Sequence, residues 1–228
     1  AQEQNIGFIR GIEISAEGDR EVHILGYSIN AGNKAFDNLI EALRHDRISR
    51  ERKYLNTLQD MHIFISSADL RIPSGSLFSR PLLAKAMKDK GYVNSMQEAF
   101  DMYLGAGKPA YVPKLSVTAD EVIKTLCLAG AVPVIAHPGL LHLSSSDLEK
   151  QIIQWKASGL MGIEVYHPSH NQLDCQKFLL LAKKYNLLVT GGSDFHEKAD
   201  LYHGELGQML SIWHEASIDT SKLLASIH

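Results

Sequence analysis

A recurring pattern narrows the folds open to this chain more than any other feature: short apolar stretches, each carrying or ending in a histidine or a carboxylate. Ala131–Ala136 runs into His137-Pro138-Gly139, and Gly162–Tyr166 runs into His167-Pro168-Ser169-His170. Leu187–Thr190 runs into Gly191-Gly192-Ser193-Asp194-Phe195-His196. Apolar runs of this length, bounded by turn residues, read as strands. Helical patterns lie between them, at Thr118–Leu128, Leu148–Ala157 and Gln172–Tyr185. Thr118 with Glu121 three residues on has the form of a capping box, which marks a helix start. A further strand is expected at Leu206–Ile212 and a closing helix at Ser221–Ile227. Strands alternating with helices predict an α/β fold, with right-handed βαβ units around a parallel sheet or barrel.

The first part of the chain reads differently. Phe8–Ser15 and Glu21–Ile29 are strand-like, and the turn signal Gly18-Asp19 between them suggests a hairpin. From about Lys34 the period changes to that of a helix, with Phe36, Leu39, Ile40 and Leu43 on one face. The basic side that follows, including Arg44, Arg47, Arg50, Arg52 and Lys53, reads as a solvated face. Pro81–Lys90 is a second helix, closed by Gly91 as a C-cap. Ser95–Leu104 is a third, before a loop containing Gly105, Gly107 and Pro109. The expected organisation is therefore an α/β domain from 1–33 and 114–228, interrupted by a helical insertion at 34–113.

The carboxyl ends of parallel strands are where α/β proteins assemble active sites. Here successive strands deliver Glu13, His23, His137, His167 with His170, and Asp194 with His196 to such a rim, which packing alone does not explain. Histidine with carboxylate suits zinc, manganese or iron. Proline after His137 and after His167 is expected to hold each preceding residue extended, fixing its imidazole at the rim. If the last segment is also extended, Asp194 and His196 point to one side. Of the 11 histidines, His45, His62, His142, His214 and His228 sit among polar or helical neighbours and read as ordinary surface or core residues.

The 228 residues are 45% hydrophobic and 21% charged with a net charge of -3, which fits one sizeable core and argues against bulk DNA binding or a membrane-surface role. No stretch is long and apolar enough to span a bilayer. Cys127 and Cys175 lie far apart inside apolar or helical patterns, so no disulfide framework is expected and a reducing cytoplasm is the default.

The segments Gly11–Ser15, Val22–Tyr27, Ile135–Gly139, Gly162–Pro168 and Gly191–His196 resemble successive motifs of the PHP (polymerase and histidinol phosphatase) superfamily. Ser79-Arg80-Pro81, Gly91-Tyr92-Val93, Glu98-Ala99-Phe100 and Gly107–Lys114 resemble the branch that hydrolyses nucleoside 3′,5′-bisphosphates or trims short RNA from the 5′ end. The resemblance implies a distorted barrel with one to three divalent metals (Mn²⁺, Zn²⁺ or Fe²⁺). It implies Glu13 as a bridging carboxylate, with His23 and His137 completing one shell and Asp194 and His196 serving the others. Clustered metals polarise a phosphoryl oxygen and generate hydroxide near neutral pH. Arg80 and Lys114 are candidate phosphate ligands, with solvated surface as their ordinary alternative; His167 and His170 are candidates for orienting substrate or shuttling a proton.

Two departures from the family pattern shape further expectations. The family begins with His-x-His and Asp-His motifs, whereas here Glu13 comes almost at once. The barrel is therefore expected to lack its first strands and to expose apolar edges that favour a homodimer. The branch usually reads Arg-Pro-His-Ile-Ala, where this chain has Arg80-Pro81-Leu82-Leu83-Ala84; leucine binds neither metal nor phosphate. Three functions follow as expectations: a metal-dependent nucleotide or RNA phosphoesterase, a histidinol phosphate phosphatase, or an inactive module that binds nucleotide through Arg80 and Lys114.

Overall fold

The computed structural model describes residues 9–17, 21–30 and 32–195. Phe8, the Gly18-Asp19 turn, His196, His214, His228 and the elements expected at Leu206–Ile212 and Ser221–Ile227 lie outside the described residues. The chain divides into two compact units, one formed by Ala1–Phe36 with Ser116–His228 and the other by Asp37–Leu115.

The first unit is built on a five-stranded mixed sheet: β1 (Gly11–Ala16), β2 (Val22–Tyr27), β3 (Val132–Ile135), β4 (Gly162–Tyr166) and β5 (Leu188–Gly191), in that spatial order. β3, β4 and β5 run parallel, but β2 is antiparallel to both β1 and β3. The β1–β2 pair is the expected hairpin and β3–β5 the expected parallel run; the antiparallel pairing of β2 with β3 joins the two into one mixed sheet. Strands as close in sequence as β1 and β2 pair antiparallel, because a parallel partner needs a long crossover. β1 and β2 alternate, burying Ile14, Ala16, Val22 and Ile24 on one face, whereas β3 and β4 are buried throughout. Continuous apolar runs suit strands covered on both faces.

Three helices follow the α/β order: α4 (Ala119–Leu128), α5 (Ser145–Ala157) and α6 (Gln172–Tyr185). The second unit contributes α1 (Lys34–Asp60, which starts in the first unit), α2 (Arg80–Asp89) and α3 (Met96–Ala99). α4 starts with the expected capping box: Glu121 N–H donates to Thr118 Oγ1 at 3.2 Å, and Thr118 N–H donates to Glu121 Oε2 at 2.8 Å. α4 lies against β1, β2 and β3, and α6 against β4 and β5. Val122, Ile123, Leu126, Val134, Ile135, Ile163 and Val165 are inaccessible to solvent. Gly162 sits between Val134 and Leu188 in register. A Cβ there would meet Val134 Cγ2 at 2.8 Å and Leu188 O at 3.2 Å, so only glycine lets the three strands approach this closely.

The described residues of the second unit contain no strand. Its core gathers Tyr54 and Leu58 of α1, Leu83 and Met87 of α2, and Leu104. α2 ends as the sequence suggests, with Gly91 at φ +77, its N–H on Lys88 O, and Tyr92 N–H on Met87 O. The expected helix at Ser95–Leu104 is split. α3 passes into a π turn at Phe100–Leu104, closed by Gly105 N–H donating to Phe100 O at 2.8 Å. Among the described residues no helix is long and apolar enough to cross a membrane, and Cys127 and Cys175 are free thiols.

Candidate metal centre

The hairpin sets the first half of the site. Ser15 lies opposite His23 and Glu13 opposite Leu25, so Glu13 and Ser15 share a face and His23 is diagonal to Glu13. His23 Nδ1 donates to Glu13 Oε1 at 2.6 Å. His23 stands at the start of β2, not at the end of a parallel strand. Because β2 is reversed, its start lies at the rim where β1 and β3 end. Ala136 N–H donates to His23 O at 3.0 Å, which brings the next residue, His137, alongside. His137 Nε2 lies 3.3 Å from Glu13 Oε1, and the His23 and His137 rings meet edge-on with centroids 4.9 Å apart.

Glu13, His23 and His137 thus offer ligand atoms within 4.8 Å of one another. His137 Nδ1 is buried with no hydrogen-bond partner among the described residues. A buried imidazole nitrogen left without a partner is costly unless something binds it. One carboxylate with two imidazoles, and that orphaned nitrogen, fit a divalent transition metal. Burial pushes the Glu13 carboxyl up, but hydrogen bonds from His137 and His23 outweigh it and hold the group well below the usual carboxylate range. Burial pushes His23 down, but Glu13 and Glu21 outweigh it and raise the imidazole to about 9. Both shifts keep a negative oxygen at the centre of the cluster.

His137 is not extended. It adopts φ +26, ψ 57, against the usual preference before proline. The reason is tertiary: its N–H donates at 2.7 Å to Oε2 of Glu164, a buried carboxyl on β4. Burial, with the charges of Glu13 and Asp194 adding and the His137 N–H opposing, pushes Glu164 up to about 7. Sequence reasoning missed Glu164 as a site residue. Its signal was an acidic residue in the middle of an otherwise apolar strand, Gly-Ile-Glu-Val-Tyr.

The His-Pro-Ser-His segment continues the row of rings. The His137 and His167 centroids lie 5.3 Å apart, and those of His167 and His170 5.4 Å apart. His167 is 2% exposed; its Nδ1 accepts from Ser169 N–H at 3.1 Å and lies 2.7 Å from Ser169 Oγ. His170 is engaged at both nitrogens: Nδ1 donates to Val165 O at 2.8 Å and Nε2 accepts from Gly139 N–H at 3.1 Å. Burial pushes its pKa down, consistent with that neutral tautomer. Asp194 is near enough to act on Glu164 electrostatically, but it adopts φ +49, so the extended geometry expected for Asp194 and His196 does not hold at Asp194.

Arg80 and Lys114 belong to the helical unit. Arg80 donates from Nη1 to Leu104 O at 3.5 Å, and its guanidinium carbon lies 5.8 Å from the ring centroids of both Phe100 and Tyr111. Lys114 and Leu82 are half-buried. His45, His62 and His142 are exposed, as expected.

No family model matches the chain. It is 32% identical over 199 residues to a 3′,5′-nucleoside bisphosphate phosphatase from Chromobacterium violaceum, covering 86% of this chain and 70% of the relative. It is 27% identical over 216 residues to the 5′-3′ exoribonuclease Rnm of Salmonella typhimurium, covering 94% and 72%. A solved structure from Bifidobacterium adolescentis, assigned as a metal-dependent phosphoesterase, superposes with a TM-score of 0.75 at 28% identity, over 91% of this chain and 73% of that one. The mixed α/β fold with a histidine–carboxylate cluster at its rim places the molecule in the class of metal-dependent hydrolases acting on phosphate esters. Within that class, the chain belongs to the PHP superfamily, in the branch of the nucleoside bisphosphate phosphatases and Rnm exoribonucleases.

Proposed function

We propose that the chain hydrolyses phosphate esters of small nucleotides, either nucleoside 3′,5′-bisphosphates or the 5′ ends of short RNA. The observation that carries this reading is the convergence of Glu13, His23 and His137 beside an orphaned imidazole nitrogen, in a relative of a bisphosphate phosphatase. A divalent ion held there supplies Lewis-acid polarisation of a phosphoryl oxygen and lowers the pKa of water. Glu13, His23 and His137 hold one ion, with Asp194 and His196 as ligands for others; the donor set suits Mn²⁺, Zn²⁺ or Fe²⁺. His167, with Ser169 at its Nδ1, orients the substrate or moves a proton. Arg80 and Lys114 serve as phosphate contacts, and the aromatic rings beside Arg80 fix the plane of its guanidinium fork.

The same reading takes the sheet as part of a distorted barrel from 1–33 and 114–228, with 34–113 as its helical insertion. The superposition across 91% of the chain supports it. The enzyme works in the cytoplasm, where Cys127 and Cys175 remain reduced.

Hydrolysis of a nucleoside 3′,5′-bisphosphate, a short 5′-phosphorylated RNA and histidinol phosphate, compared before and after EDTA and with Mn²⁺ added back, tests the proposal. The expected result is turnover of one of the first two, abolished by EDTA and restored by Mn²⁺. Activity indifferent to both additions, or confined to histidinol phosphate, overturns it. Tight nucleotide binding without turnover under any metal assigns a binding module instead. The named relatives do not favour either alternative.

A further inference from the structure

We infer that Glu164 and His170 are positioning residues for the metal centre, clamping the His137-Pro138-Gly139 turn from behind so that the His137 imidazole faces Glu13. This rests on the metal-binding reading of Glu13, His23 and His137. His137 occupies a left-handed conformation that a residue before proline adopts only under constraint. Two acceptors supply that constraint. Glu164 Oε2 takes the His137 N–H at 2.7 Å, and His170 Nε2 takes the Gly139 N–H at 3.1 Å. The two N–H groups bracket Pro138, which has none, so both backbone donors of the tripeptide are held by side chains carried on β4 or just beyond its end.

The acceptors are themselves fixed. Glu164 is 5% exposed in the middle of β4, beside Thr190 in the β4–β5 register. His170 donates from Nδ1 to Val165 O at 2.8 Å, which orients Nε2 as the acceptor. Its ring packs edge-on against Phe178, with centroids 4.9 Å apart. Gly139 completes the fit. A Cβ on it would fall 2.6 Å from His170 Cδ2 and 2.9 Å from Nε2, so the ring reaches the amide only because the residue is glycine. With both ring nitrogens committed to the backbone, His170 acts through the turn and not on the substrate. Ligand residues held by outer hydrogen bonds lose affinity when those bonds are removed.

The test uses the full chain as wild type, Glu164→Ala, Glu164→Gln, His170→Ala, His170→Gln and Gly139→Ala, each checked for folding by thermal melting after chelation. Amide hydrogen exchange of His137 and Gly139 is followed by NMR without metal, and Mn²⁺ binding by calorimetry. In Glu164→Ala the His137 amide should lose protection; in His170→Ala and Gly139→Ala the Gly139 amide should. Each of the three should bind Mn²⁺ about 10- to 100-fold more weakly. The glutamine variants, which keep an acceptor, should stay close to wild type in both readings. Unchanged amide protection and Mn²⁺ affinity in the alanine variants would overturn the inference, as would glutamine variants that fall as far as the alanines. If wild type binds no metal, the metal reading fails and the exchange pattern alone decides for or against the clamp. Should Glu164→Ala not fold, His170→Ala, Gly139→Ala and the glutamine pair decide it.

Discussion

Gly162→Ala adds one carbon where the sheet has no room for it. The new Cβ would sit 2.8 Å from Val134 Cγ2, 3.2 Å from Leu188 O and 3.3 Å from Leu188 Cβ, on a strand hydrogen-bonded to both neighbours. A side-chain methyl can rotate away, but the Leu188 carbonyl cannot retreat without spreading β4 from β5. Overpacking of this kind costs about 1–3 kcal/mol. In a chain of this size each kcal/mol moves Tm by about 2–4 °C, so the variant should melt about 2–12 °C lower. Urea unfolding of the chelated chain provides the assay: the midpoint should fall with the slope unchanged. Gly26→Ala is the control, because its Cβ would meet only side-chain ends, Leu126 Cδ2 at 2.6 Å, Leu126 Cδ1 at 3.2 Å and Ile12 Cγ2 at 3.4 Å, so it should cost less. A Gly162→Ala protein as stable as wild type, or less affected than Gly26→Ala, would refute the claim that close strand approach requires this glycine.

Glu13→Gln removes the carboxylate charge shared by His23 and His137, so Mn²⁺-dependent turnover and bound metal, measured by mass spectrometry of the purified chain, should both fall to background. Thr118→Ala breaks the capping box of α4 and should cost about 1 kcal/mol in urea unfolding. Asp69 is held below the usual carboxylate range first by Lys90, then by Ser66. The group with a depressed pKa binds protons more weakly when folded, so its contribution is present above the ordinary aspartate value and is lost as pH falls through the folded one. Wild type should therefore be more stable than Asp69→Asn at neutral pH, and the two melting curves should converge in acid.

The parts of the fold that were legible in the sequence are those decided within a few residues. The Thr118–Glu121 box, the Gly91 cap and the hairpin follow from local donors, acceptors and turn chemistry, and the structure shows all three. The backbone of His137 was not legible, because the local rule for a residue before proline is overruled by a hydrogen bond to Glu164, 27 positions away. The role of His170 was hidden for a similar reason. A histidine in a motif resembles a catalytic group until its two nitrogens are seen to be bound to Val165 and Gly139. The split of the expected Ser95–Leu104 helix was not legible, because a single π turn is a rare departure that the helical period of the sequence does not announce. Glu13, His23 and His137 were in view beforehand, as was the hairpin that carries two of them; the antiparallel pairing of β2 with β3, which brings His137 to His23, and the buried Glu164 were not.

That reversed strand also changes what the chain must do to complete the cluster. Glu13 and His23 meet across a hairpin, 10 positions apart, whereas Glu13 and His137 are 124 apart. Since β2 pairs with β3 through Tyr27 and Val132, everything between those two residues behaves, for the sheet, as one closed loop. Loop-closure entropy grows only with the logarithm of length, about 0.6 kcal/mol for each doubling. The helical unit can therefore lengthen, shorten or be exchanged for another at little cost to the strand pairing that holds the ligands. In this topology the helical unit can diverge while the strand pairing that gathers Glu13, His23 and His137 stays in place.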